Sequence, residues 1–200
     1  TQNKMTVVDE YSSDKLLLAR AMALCSDAEL DEEAGTAVGE PTECALVNYA
    51  DSLGSRKPQL KEEFPRIGEI PFDSGRKMMS TLHSSAGKTV QYTKGAPDEL
   101  LKRCSSVLTE NGVLPLDDNK RAEIAAANKK MADNALRVLA AAYAEYPSLP
   151  ETVTSEELEK DLIFIGLCGM IDPVRPEVKA AVEECKEASI RVVMITGDHI

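Results

Sequence analysis

The chain has 200 residues, 43% of them apolar, with 34 acidic against 23 basic side chains and a net charge of −11. That apolar share supplies a real core and excludes a disordered chain, while the acidic balance argues against a general nucleic-acid or anionic-membrane surface. The longest apolar stretches, Leu162 to Met170 and Val192 to Ile195, fall short of the roughly 18 to 20 residues a membrane helix needs.

In chain order, Asp14 to Cys25 is apolar all round and predicts a buried helix. Ser26 to Val38 is acidic and reads as a solvated loop. Gly39-Glu40-Pro41-Thr42 predicts a helix start, with Ala45, Leu46, Tyr49 and Leu53 recurring on one side. Strands are expected over Arg66 to Phe72, Lys77 to His83 and Lys88 to Lys94, the last two joined by a hairpin turn at Ser84 to Gly87. Pro97 to Arg103 predicts a short helix, and Ser106 to Leu116 two short strands around Glu110-Asn111-Gly112. Asp117 caps an Ala-rich helix running to about Asn134, followed by a strand from Leu136 to Tyr143. After a loop at Pro147 to Thr154, Ser155-Glu156-Glu157-Leu158 opens a brief helix, and Leu162 to Met170 is a strand buried on both faces.

The last part changes character. Asp172-Pro173-Val174-Arg175-Pro176, an amphipathic helix from Glu177 to Ala188 and a strand from Arg191 to Ile195 give a β-α-β grammar with a parallel flavour, against an antiparallel middle. The expected fold class is α+β, an antiparallel sheet with packed helices, with a boundary near Gly169 to Arg175. The five cysteines (Cys25, Cys44, Cys104, Cys168, Cys185) contain no C-x-x-C pair, so neither a zinc site nor a disulfide framework is expected and a reducing compartment fits. No targeting signal is in view, and a final strand that hands over to its loop just before Ile200 reads as a piece cut from a longer protein.

Gly87-Lys88-Thr89 imitates the end of a phosphate-binding loop, but the required earlier glycine falls at Leu82, so the cradle of backbone N–H groups is missing. His83 and His199 are isolated, which favours packing or surface roles over metal ligation. Three strand ends hold more chemistry. Phe72-Asp73-Ser74-Gly75-Arg76-Lys77 sets a scarce aromatic ring beside two cations, suited to stacking on a base; the plainer reading is a core ring beside a solvated turn. Lys94-Gly95-Ala96-Pro97 ends an apolar strand with a lysine that can meet a phosphate, or simply snorkel to solvent. Thr196-Gly197-Asp198 closes a strand where open α/β sheets bind ligands, with a carboxylate suited to Mg²⁺ and phosphate oxygens.

Taken in order, Thr1 to Val7, Gly39 to Glu43, Phe72 to Ser80, Lys94 to Pro97, Asp172 to Arg175 and Met194 to Asp198 resemble the cytoplasmic nucleotide-binding region of P-type cation-transporting ATPases, over the whole chain. Pro41-Thr42-Glu43, Arg76-Lys77-Met78-Met79-Ser80 and Lys94-Gly95-Ala96-Pro97 are most similar to the calcium-pump branch, of a bacterial kind. The resemblance implies that Phe72 stacks on adenine, that Glu43 with Thr42 meets the base edge, and that Lys94 lines the deep end of the pocket with Gly95 and Ala96 giving room. It further implies that Lys77 faces the phosphates, Arg137 binds the phosphate chain and Leu139 packs on base or ribose. Asp172 and Arg175 would belong to a hinge, and Thr196, Gly197 and Asp198 to the loop that meets the γ-phosphate and Mg²⁺.

By the same resemblance, residues 1–8 end the phosphorylation domain and form a first hinge, 9–168 are the nucleotide-binding domain, and 169–200 are a second hinge with the phosphorylation-domain start. The acceptor aspartate of the DKTGT motif would lie upstream of Thr1. The chain is then expected to bind ATP or ADP, to catalyse nothing alone, and to work with the phosphorylation, actuator and membrane domains of a cell-membrane pump as its cytoplasmic part. Two departures are Val174, where many relatives have a second proline, and Ser74, where some place a phosphate-holding arginine. One rival is a haloacid-dehalogenase-type phosphatase cap, which lacks its D-x-D nucleophile here. The other is a non-enzymatic interaction module whose strand-end cations serve only solubility.

Overall fold

The computed structural model describes residues 4–174 and 176–193. Strand β1 (Thr6–Ser12) leads into helix α1 (Lys15–Leu24), whose first turn is capped by the Asp14 carboxylate accepting from the Leu17 N–H at 2.9 Å. Leu18, Met22 and Leu24 are all buried, as the all-round apolarity of this helix requires.

Ser26 to Val38 is not a continuous solvated loop. It folds back as a hairpin of β2 (Glu29–Asp31) and β3 (Thr36–Val38). Asp31 Oδ1 accepts from the N–H groups of Glu33 and Ala34, Gly35 takes a left-handed φ of 61°, and Leu30 and Ala37 pack on Val47. With one inward apolar residue per strand, the hairpin has no alternation to read.

Helix α2 (Pro41–Ser52) starts where expected, with the Glu40 carboxylate accepting from the N–H groups of Thr42 and Glu43. A further helix, α3 (Lys57–Glu63), escaped the sequence reading because its buried residues are only Lys57 and Leu60. The hairpin strands follow as β4 (Arg66–Asp73), β5 (Met78–Ser85) and β6 (Lys88–Gly95), with Ala86 and Gly87 at φ 47° and 81° in the β5–β6 turn. Then come α4 (Pro97–Lys102), β7 (Cys104–Thr109), β8 (Gly112–Pro115), α5 (Asp118–Asp133) capped by Asp117, β9 (Arg137–Tyr146), α6 (Ser155–Leu158), β10 (Leu162–Ile171) and α7 (Pro176–Glu187).

One sheet of eight strands runs in the order β4-β5-β6-β9-β10-β7-β8, with β1 added on β10. All pairings are antiparallel except β7 with β10. The protein is thus an α+β fold on a predominantly antiparallel sheet. Both edges of β10 are occupied, by β9 on one side and by β7 at 162–164 and β1 at 166–171 on the other. Residues 191–193 belong to no strand, and the remainder of the expected final strand lies outside the described residues. The two largest apolar clusters among the described residues gather Leu18, Met22, Leu46, Met79, Tyr92 and Ile165 with α1 and α2, and Met78, Leu100, Ile124, Phe164 and Leu167 with α4 and α5. All five cysteines are free thiols.

Candidate functional site at one end of the sheet

Antiparallel pairing brings the ends of β4 and β6 and the starts of β5 and β9 together. Asp73 stands opposite Met78, Met78 opposite Gly95, and Gly95 opposite Ala140. Between Ile70 and Asp73, β4 advances three residues where β5 advances two, from Ser80 to Met78. The extra residue reverses the alternation, so Ile70 and Asp73 share the face of Ser80 and Met78, Phe72 lies in the irregular stretch between them, and Met79 and Lys94 occupy the opposite face. Phe72 is 63% exposed, which removes the core reading of this ring.

Lys94 is buried, at 7% exposure, and its ammonium donates to Glu43 at 2.5 Å and to Ser26 Oγ at 2.9 Å. The other Glu43 oxygen accepts from the N–H groups of Asp27 and Ala28 at 2.7 and 3.1 Å. Glu43 lies in the first turn of α2, where the helix dipole also favours a carboxylate. Arg137, exposed at the start of β9, donates from Nη1 to Thr42 Oγ1 at 3.2 Å, and Leu139 packs on the core beneath. Thr42, Glu43, Lys94, Arg137 and Leu139 therefore form one neighbourhood, with Phe72 projecting from the adjoining hairpin. The thiol of Cys25 sits close to Lys94, but burial outweighs that cation and pushes it up, so it stays protonated.

Other expected roles sit differently. Lys77 precedes β5 rather than opening it; it is exposed and left-handed at φ 55°. A Cβ on Gly95 would stand 2.5 Å from the Lys77 carbonyl oxygen and from Met78 Cβ, and Ala96 N–H donates to that carbonyl at 2.9 Å. The glycine thus makes room for the neighbouring strand. Asp172 is exposed just past β10, while Arg175, Thr196, Gly197 and Asp198 lie outside the described residues. Among the described residues no group of three or more His, Cys, Asp or Glu is arranged to hold a metal ion.

Two participants, Ser26 and Glu159, were not singled out from sequence. Ser26 binds Lys94. Arg76, read from sequence as a cation beside Phe72, donates from Nη1 to both carboxylate oxygens of Glu159, whose side chain is fully buried, and from Nη2 to the Pro71 carbonyl at 2.7 Å. Ser80 Oγ donates to the same Glu159 at 3.0 Å. Nothing local betrays Glu159, which sits in the acidic run Glu156-Glu157-Leu158-Glu159. A separate cleft of about 170 Å³ lies toward the opposite end of β6, among Leu17, Arg20, Phe64, Lys88, Tyr92 and Glu145.

The architecture is that of an α+β domain with a largely buried Lys94–Glu43 ion pair and an exposed aromatic ring at one sheet end. Residues 16–177 match the family model described as P-type ATPase, cytoplasmic domain N, and the chain belongs to that family. It is similar to calcium-transporting ATPase 1 of Bacillus cereus, 45% identical over 213 residues, and to calcium-transporting ATPase 1 of Lactococcus lactis, 41% identical over 212. A calcium-transporting ATPase of Listeria monocytogenes is 40% identical over 215 residues. In each case all of this chain is covered but only 24% of the relative, so the chain spans about a quarter of the length of the curated proteins it matches. No helix among the described residues is long and apolar enough to cross a membrane.

Proposed function

We propose that this chain is the ATP-binding cytoplasmic domain of a calcium pump and that it presents Mg·ATP to an acceptor aspartate outside residues 1–200. The observation that bears most weight is the exposure of the Phe72 ring, in the irregular stretch of β4 near the strand end of Lys94, which leaves it free to stack on adenine. Lys94 and Glu43 form the polar floor of the pocket, Thr42 lies at its edge, and Gly95 and Ala96 line its strand end. Leu139 supplies apolar surface for base or ribose. Arg137 and Lys77 face the phosphate chain as exposed cations, a role that needs charge rather than burial. Asp198, with Thr196 and Gly197, would organise Mg²⁺ and the γ-phosphate, which supplies charge neutralisation for transfer. Thr6 stands opposite Ile171, so the two hinges assigned near Val7 and Asp172–Arg175 adjoin the same edge, and a rigid-body movement about them accounts for delivery of the nucleotide. On this reading residues 9–168 bind, and the flanks belong to the phosphorylation domain.

An NMR titration tests the reading. ATP and ADP are expected to shift resonances of Phe72, Glu43, Lys94 and Arg137 with affinity near the millimolar scale, about −4 kcal/mol. Phe72→Ala is expected to weaken binding by about 1 to 3 kcal/mol with little change in stability. An absence of shifts at these residues in excess ATP would refute it. Purified protein is expected to form no acid-stable phosphoenzyme.

A further inference from the structure

Lys57 of α3 is 2% exposed, yet it makes no close ion pair. Glu29 stands 4.0 Å away and is bonded to the exposed Lys61. The Lys57 ammonium donates instead to two main-chain carbonyls, those of Ser26, at 2.8 Å, and Ala28. Arg66 of β4 grips the same stretch: Nη2 donates to the carbonyls of Leu24 and Ser26 at 3.0 and 2.8 Å, and Nη1 to the Asp27 carboxylate at 2.8 Å. The turn between α1 and β2 is therefore held on its carbonyl side by two cations.

Its other polar groups are those that meet the candidate site. Ser26 Oγ donates to the Met22 carbonyl at 2.7 Å, which leaves its lone pair to accept from Lys94 at 2.9 Å. The N–H groups of Asp27 and Ala28 hold Glu43. We propose that Lys57, assisted by Arg66, is a positioning residue for the Glu43–Lys94 pair, acting through the carbonyls of Ser26, Ala28 and Leu24. The inference rests on the reading that this pair serves a nucleotide.

Burying an ammonium among neutral carbonyls is unfavourable, and a space that needed only filling would be better occupied by an apolar side chain. Burial draws the Lys57 amine down to about 8, against the partial support of Glu29 and Glu43 and with the further opposition of Arg66 and Lys61. What the ammonium supplies that methionine cannot is two directed N–H bonds at a fixed point. They keep the turn at the distance that lets Ser26 and the two N–H groups divide the Glu43–Lys94 pair between them.

Lys57→Met, with similar length and no donors, tests this by NMR alongside Lys61→Met as an exposed control on the same helix. In Lys57→Met the nucleotide-free resonances of Ser26, Glu43 and Lys94 are expected to move, and the ATP Kd to rise tenfold or more in protein that still melts cooperatively. Lys61→Met should leave both unchanged. A role confined to folding would leave the Kd of the folded protein and those resonances unaltered, and that result overturns the proposal. If Lys57→Met does not fold, Arg66→Met decides on its own: at 29% side-chain exposure it should remain folded, with the same resonances displaced and a Kd raised at least threefold, and an unchanged site overturns the proposal. Failure of wild-type protein to bind ATP would remove the nucleotide reading alone, since the nucleotide-free resonances still test the positioning.

Discussion

Replacing Glu159 with glutamine isolates the buried charge beneath the Phe72 hairpin. Glu159 is completely buried and accepts from Arg76 Nη1 on both oxygens, while Arg76 keeps 20% exposure and Ser80 supplies a further bond at 3.0 Å. Removing one partner of a buried pair typically destabilises by about 3 to 5 kcal/mol, because the other charge is left uncompensated. Glutamine retains an oxygen for Ser80 or Arg76, and the exposed fraction of Arg76 lets water repair part of the loss, so about 2 to 3 kcal/mol is expected. For a chain of this size that corresponds to a fall in Tm of about 4 to 12 °C. Paired urea and thermal unfolding of wild type and Glu159→Gln measure it. A loss below about 0.5 kcal/mol would mean that Arg76 reaches water and the pair contributes nothing. The double replacement Arg76→Met with Glu159→Leu should recover most of the stability, since no charge is then left buried. It should not recover ATP binding, because Arg76 also holds the Pro71 carbonyl next to Phe72.

His83 is 1% exposed, with Nδ1–H donating to the Phe64 carbonyl and Nε2 accepting from Thr81, both at 2.9 Å, and burial lowers it to about 4. A base whose folded value lies below its unfolded one is neutral in the native state while the unfolded chain takes up a proton, so stability falls as pH drops through 6.5 toward 4. Between pH 7 and 5 this group should remove about 2 kcal/mol, and His83→Gln should flatten that part of the profile; equal slopes in urea titrations would refute the assignment. Gly95→Ala should lower stability by about 2 to 3 kcal/mol, because its Cβ would meet the Lys77 carbonyl at 2.5 Å; an unchanged denaturant midpoint would show that β5 and β6 separate freely.

The helices and most strands could be read in advance because their signals are local. Asp117 accepts from the N–H group of the helix it was placed to cap, Pro41 opens α2, and Gly87 turns the β5–β6 hairpin. Thr42, Glu43, Lys94 and Arg137 could be named from short motifs, while the Lys94–Glu43 and Arg137–Thr42 contacts that join them appear only in the structure. The turn at Ser26 to Ala28, α3 and the buried Glu159 left no such trace, because one or two inward residues have no period and a charged side chain does not announce that it is enclosed. The exposure of Phe72 accompanies one extra residue in β4, visible only against its partner β5. Likewise β10 could be recognised as buried on both faces but not as the shared neighbour of β9, β7 and β1. Strand partners and the pairing of buried charges are contacts between distant parts of the chain, chosen by the joint burial of many side chains, and no single segment contains that information.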